Sequence, residues 1–227
     1  TLEEIIVTAT RREASLQDVA IPMTAVSGEE LERKFAQDLR DLTNASPNVQ
    51  FEPVGIFQNA ASFYIRGQGG GDIESATDAK VGIYVDGVAQ PRVSTALGDM
   101  LDVQSVEILR GPQGTLFGRN STTGALNITT AKPSSDGYVQ IDGTVGNLDA
   151  YRIGLTANGG LSDTVFGKFT IMKTERDGYL KNTFGGTANV VDNLFARGQL
   201  LFSPNDQLDI TFSVDYCKDE GNGINYV

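Results

Sequence analysis

The residues that could do chemistry are few, and their spacing narrows them further. Arg66-Gly67-Gln68-Gly69-Gly70-Gly71 has the glycine density of a phosphate-cradling loop. A dinucleotide site also needs an apolar helix straight afterwards, to present its N-terminal amides. The next residues, Asp72-Ile73-Glu74-Ser75-Ala76-Thr77-Asp78, are polar instead. Gly111 to Ser121 (GPQGTLFGRNS) lacks the Gly-Lys-Ser/Thr ending of a phosphate loop. Carboxylates are plentiful, so acid–base chemistry is not excluded by residue type, but no spacing singles out a pair. Asp215, Asp219 and Glu220 are close enough in sequence to meet a cation, although a solvated strand end accounts for them as well. Cys217 reads as an incidental small apolar residue. The expectation is therefore no catalytic set, no metal site and no cofactor.

Composition removes further classes. With no His there is no Ser-His-Asp or Cys-His nucleophile and no His-ligated metal. A single Cys excludes an internal disulfide and a Cys-rich zinc site. A net charge of -11 argues against nucleic acid as a partner. Hydrophobic residues make up 40% of the chain, as in folded proteins. No apolar run approaches the roughly 18 residues of a membrane helix. A membrane barrel stays open, because its strands raise overall hydropathy little.

The elements that would position these residues change in texture near Lys132-Pro133. Ile5, Ile6 and Val7 form a short β-branched run flanked by charges. It is either a frayed terminal strand or a peptide that adds to the edge of a partner's sheet. Ala20 to Val26 reads as a strand. Ser27, three residues before Glu30, makes a capping box for a helix reaching about Ala36. Asp38 caps a second short helix, Leu39 to Asn44, which Pro47 stops. Strands are expected at Phe63 to Arg66, Val103 to Arg110 and Gly124 to Thr130. Gly67 to Asp78 reads as a loop. Val81 to Val88 reads as a hairpin turning at Asp86-Gly87. Ser94 is placed to cap a short helix ending near Leu101. The sum is a small α+β domain with a mixed sheet.

After Pro133 the period is two. Val139, Ile141 and Val145 oppose Gln140, Asp142 and Thr144. Ile153, Leu155 and Ala157 oppose Arg152, Thr156 and Asn158. Val165, Phe169 and Ile171 oppose Lys168 and Thr170. Ala196, Leu200 and Phe202 oppose Arg197, Gln199 and Ser203. Leu208, Ile210, Phe212, Val214 and Tyr216 oppose Asp209, Thr211, Ser213 and Asp215. The pattern gives five antiparallel strands, each with an apolar and a very polar face. Such strands build a soluble sandwich or a membrane barrel. The joins favour the barrel: Asn158 to Thr164 and Ser203 to Asp206 are short, whereas Thr174 to Asn193 is long and rich in Gly, Asn and Asp.

One stretch is distinctive as a whole. VEILRGPQGTLFGRNSTTGALNITTAKP (Val106 to Pro133) resembles the plug domain of TonB-dependent outer-membrane receptors. Three further matches come in that family's order: EEIIVTA (Glu3 to Ala9) resembles the TonB box, FYIRG (Phe63 to Gly67) the plug's Ile-Arg-Gly strand, and VGIYVDGV (Val81 to Val88) its Tyr-Val-Asp-Gly hairpin.

The resemblance implies a TonB-box segment over 1–12, a plug over 13–133 and the first five or so strands of a transmembrane β-barrel over 134–227. In the family that barrel has about 22 strands. It implies uptake of a scarce nutrient, a ferric siderophore or similar metal chelate before others, and no enzyme activity. Its partners would be the periplasmic protein TonB, outer-membrane lipid and the nutrient, with the N-terminus in the periplasm. Glu4, Ile5, Ile6, Val7, Thr8 and Ala9 would engage TonB. Arg66 and Arg110 match plug arginines that pair with barrel glutamates; local pairing, for instance with Glu107, is the alternative. Gln68, Asp72, Glu74 and Arg92 are the candidate ligand contacts, chosen from loops beside matched motifs. The alternative to a transporter is a soluble ligand-binding module with a β-sandwich.

The 94 residues after Pro133 hold about five strands. At that rate about 22 strands need roughly 400 residues. Five strands cannot close, and an open edge in lipid leaves main-chain groups unpaired. The chain, which begins at Thr1 without Met, is thus expected to be the N-terminal portion of a longer protein.

Overall fold

In a computed structural model the structure describes residues 6–8, 14–36, 38–54, 57–69, 79–90, 102–181, 185–205 and 207–222. The expected helix near Ser94 and the candidates Glu4, Ile5, Ala9, Asp72, Glu74 and Arg92 lie outside these. The chain forms two compact units, Thr1–Val54 with Asn59–Thr130, and Gly55–Gln58 with Ala131–Val227.

In the first unit, β1 (Ile6–Val7) pairs antiparallel with β2 (Ala14–Ser15), Val7 opposite Ala14. β3 (Met23–Ser27) runs straight into α1 (Gly28–Arg33), because the Ser27 side chain accepts from the Glu30 amide at 3.3 Å. The Glu30 carboxylate turns instead to Lys34, 2.7 Å away. The helix stops short of Ala36. Phe35 takes a positive φ of 53°, and the Phe35 and Ala36 amides donate back to Glu32 and Leu31. That is a Schellman ending with Phe where Gly usually stands.

Asp38 caps the 3₁₀ turn Leu39–Asn44 as expected, accepting from the Arg40 amide at 2.7 Å while Asp41 bonds the Asp38 amide. Its second oxygen takes Arg40 Nε, and that hydrogen bond holds the guanidinium above its ordinary pKa.

β4 (Val49–Val54), β5 (Phe57–Ile65) and β6 (Gln68–Gly69) form a three-stranded sheet. Gln68 and Gly69 therefore leave the expected loop and pair with Ile65 and Tyr64. The two residues between, Arg66 and Gly67, both have positive φ, 55° and 72°. This is the twist a two-residue hairpin needs.

β7 (Val81–Val85) and β8 (Val88–Ala89) flank Asp86-Gly87, again both at positive φ. β9 (Val103–Arg110) and β10 (Gly124–Thr130) fall on the expected bounds. α2 (Gly114–Phe117) between them is a single turn with no sequence signal. The strand order is β3-β9-β10-β7-β8, with β10 parallel to β7 and the other pairs antiparallel, so the sheet is mixed. The sheet is covered on both faces. Val106, Ile108, Leu126 and Ile128 join the main core with Leu31, Leu42, Phe51 and Phe63. On the other face Leu109, Ala125, Tyr84 and Phe117 pack together. Gly124 has no room for a side chain, since a Cβ there would stand 2.4 Å from Ile65 Cδ1.

The second unit is one antiparallel sheet of long strands, β11 (Tyr138–Val145), β12 (Tyr151–Gly160), β13 (Val165–Arg176), β16 (Val191–Asn205) and β17 (Leu208–Asp219). A small hairpin of β14 (Leu180–Lys181) and β15 (Thr187–Ala188) lies in the β13–β16 join. β16 runs through Ser203 and Pro204, residues expected in the turn. A register shift between Phe202 and Asn205 accommodates the proline. No described helix is long and apolar enough to cross a membrane.

Candidate functional site: the docked N-terminal segment and the inverted sheet

The N-terminal segment lies against the five-stranded sheet of the first unit. Val7 is 1% exposed. The Thr8 amide and hydroxyl both reach Glu107 Oε1 in β9, at 2.5 and 3.2 Å. Glu107 itself is 0% exposed. Asn127, opposite it in β10, donates to Glu107 Oε2 at 2.9 Å and lies 3.2 Å from the Thr8 hydroxyl. A buried carboxylate needs such donors, because water can no longer solvate it. Of the six residues expected to engage TonB, the described ones are thus held in the fold of the first unit.

Arg66 and Arg110 come to one end of the first unit. The Arg66 guanidinium lies over Gly111, beside Arg110 in sequence. Arg110 Nε is buried with no hydrogen-bond partner, and Glu107 does not supply one, since its oxygens face Thr8 and Asn127. The alternative of local pairing between Arg110 and Glu107 is therefore absent. Gln68 is exposed on β6.

The second unit wears its polarity inside out. Its polar face is buried in the three central strands, where Thr170 is 1% exposed and Lys168, Arg197, Gln199, Thr156 and Asn158 are also buried; the edge strands β11 and β17 are exposed on both faces. Its apolar face is bare, with Ile141 at 75% and Phe212 at 63%. On the buried side Arg197 and Asp215 make a bidentate pair at 2.7 and 2.9 Å.

On the bare side the apolar band ends in a polar fringe. There Lys173 bridges Glu175 and Asp192, and Tyr216 is followed by Lys218 paired with Glu220. The long join 177–190 leaves from this end, whereas the 161–164 and 206–207 turns at the other end are short. Asp215, Asp219 and Glu220 do not converge, and no group of three His, Cys, Asp or Glu is placed to hold a metal among the described residues.

An apolar face left to the surroundings and a buried polar face are what a barrel wall in lipid requires. A plug motif precedes it, and residues 15–125 match the family model of the TonB-dependent receptor plug domain. The chain belongs to the TonB-dependent outer-membrane receptors. It is 32% identical over 213 residues to the pesticin receptor of Yersinia pestis, covering 89% of this chain and 30% of that one. With the vitamin B12 transporter BtuB of Photobacterium profundum it shares 25% over 180 residues, 77% of this chain and 28% of that one.

The crystal structure of the ferric yersiniabactin uptake receptor FyuA from Yersinia pestis superimposes with a TM-score of 0.78 at 29% identity, over 86% of this chain and 31% of that one. The chain thus spans about a third of the length of these relatives. Membership places this TonB-dependent receptor in the Gram-negative outer membrane, with its N-terminal segment on the periplasmic side. The expected barrel strands are thereby borne out. The sandwich alternative lacks a second sheet over the apolar face among the described residues.

Proposed function

We propose that this chain is the plug-bearing part of a receptor that takes up a ferric siderophore or similar metal chelate across the outer membrane. Energy enters from TonB through Glu4 to Ala9. The observation that carries the reading is a β-strand segment docked by a few polar contacts on a plug that precedes an inside-out sheet. A partner can take such a strand by pairing with its main chain. The reading assigns 1–12 to the TonB-box segment, 13–133 to the plug and 134–227 to the first barrel strands. It involves no enzyme chemistry. A ferric chelate is favoured by the ferric yersiniabactin receptor among the relatives, and the vitamin B12 transporter marks the main competing cargo.

The test is uptake by the full-length receptor in a host stripped of its own chelate receptors. A panel of iron-loaded siderophores and cobalamin is supplied with TonB present or deleted. We expect iron from one siderophore class to accumulate, and only with TonB. Accumulation of cobalamin alone overturns the cargo assignment, and uptake that persists without TonB overturns the energy source.

Arg66 and Arg110 are assigned to pairs with barrel carboxylates beyond this chain. A buried guanidinium without a carboxylate carries its full desolvation cost, and Arg110 Nε is already buried and unbonded. A density map of the whole receptor should show a carboxylate within about 4 Å of each guanidinium, the usual salt-bridge reach. Both arginines fully solvated would refute the assignment. Gln68, Asp72, Glu74 and Arg92 remain the proposed ligand contacts.

A further inference from the structure

We infer that Glu107 and Asn127 form a retention site for the N-terminal segment and set how often that segment leaves the plug. The inference deepens the proposed uptake function and rests on it for the partner that takes the segment.

Glu107 stands out in its surroundings. It sits mid-strand between Val106 and Ile108, both fully buried, and opposite Ala25 of β3, also buried. Among the described residues no cation reaches it. Its donors are the Thr8 amide, the Thr8 hydroxyl and the Asn127 side chain. Two of these three come from the segment. When residues 6–8 depart, the carboxylate keeps only Asn127, and the Thr8 hydroxyl position beside Asn127 empties as well.

The polar part of the cost of departure is thus concentrated in one charged acceptor, beside the re-exposure of the buried Val7 side chain. Among the described residues β1 contributes two residues of pairing with β2, a short ladder that holds little alone. Hydrogen bonds to a charged group are stronger than neutral ones, and a buried acceptor stripped of its donors is penalised again. Glu107 and Asn127 are positioning residues: they act through the segment and touch no cargo.

The test uses the full-length receptor in outer membranes from cells without TonB. Cys217→Ser, with any further cysteine of the full-length receptor also replaced, removes the background thiols, Ile5→Cys supplies a reporter next in sequence to residues 6–8, and a membrane-impermeant maleimide reads the labelling rate. Glu107→Gln keeps the shape but removes the charge and one acceptor. It should label about tenfold faster than the parent, the loss expected for a charge-assisted hydrogen bond.

Thr8→Pro removes the amide donor and leaves Glu107 in place, so it too should label faster than the parent. A second reporter, Ala125→Cys, lies fully buried in β10 and must stay protected in Glu107→Gln. Labelling of Glu107→Gln within twofold of the parent overturns the inference. So does labelling at position 125 in step with position 5, since that reports loss of the whole plug. If Glu107→Gln does not assemble, Thr8→Pro decides by the same twofold criterion. TonB is absent throughout, so this outcome is separate from whether the segment drives uptake.

Discussion

Ile6→Pro reduces uptake by the full-length receptor to the level seen without TonB and leaves ligand binding at the parent level. Strand addition to a partner's sheet runs on main-chain donors and acceptors, with alternate side chains setting register. Proline removes one donor and fixes φ near −65°, so the segment can no longer supply a continuous ladder. The proposed ligand contacts Gln68, Asp72, Glu74 and Arg92 stand far from Ile6 in sequence, and the described one, Gln68, pairs with Ile65. Ile6→Val keeps the donor and the β-branched shape, so it should transport normally. Uptake rate against whole-cell ligand binding separates the two effects, and equal uptake by Ile6→Pro sinks the TonB-box assignment.

The docked state gives this substitution a second consequence with the opposite sign. Ile6 lies in β1, paired with Ser15, so proline there also loosens the segment from the plug. Loosening alone would make the segment more available, as Glu107→Gln does. If transport were limited only by release, Ile6→Pro would speed it. A loss therefore identifies the ladder with the partner as the essential contact, and the plug's hold on Thr8 as a restraint upon it. A segment with two alternative sites is governed by the difference between its affinities for them.

Much of the plug is legible in the sequence where local chemistry decides. Asp86-Gly87 can adopt positive φ, so the hairpin around it is where the dipeptide puts it. Val103–Arg110 stops at Gly111-Pro112, Gly124–Thr130 starts at its own glycine, and both keep their bounds. Reading fails where tertiary contacts choose an unusual local state. Phe35 and Arg66 take positive φ without being Gly or Asn, so the early stop of α1 and the Arg66-Gly67 hairpin carry no residue signal. Glu107 has neighbours in sequence that suggest an arginine pair, yet it bonds Thr8, 99 residues away. In the second half, alternation gives the faces but not their direction. A sandwich and a lipid-facing wall share the same period, and only exposure tells which face is inside.

That direction fixes the size of the strongest effect expected in the sheet. Phe212→Arg should destabilise the folded barrel in lipid by about 2–4 kcal/mol, the cost measured for a guanidinium near the bilayer midplane. Phe212 lies midway along the apolar face of β17, between Ile210 and Val214, and opposite Leu200 of β16. The polar fringe begins three outward positions later, at Lys218, so the substituted charge has a long way to reach water. Tyr216→Arg, one outward position from the fringe, should cost much less, because the penalty falls to about 0–1 kcal/mol near the interface. Were this face solvated, Phe212→Arg would replace an exposed aromatic by a charge at little or no cost. The two environments thus predict different magnitudes at one residue. Urea titration of the full-length receptor folded into vesicles measures both variants. A Phe212→Arg midpoint equal to the parent's would show that the apolar face does not lie in lipid.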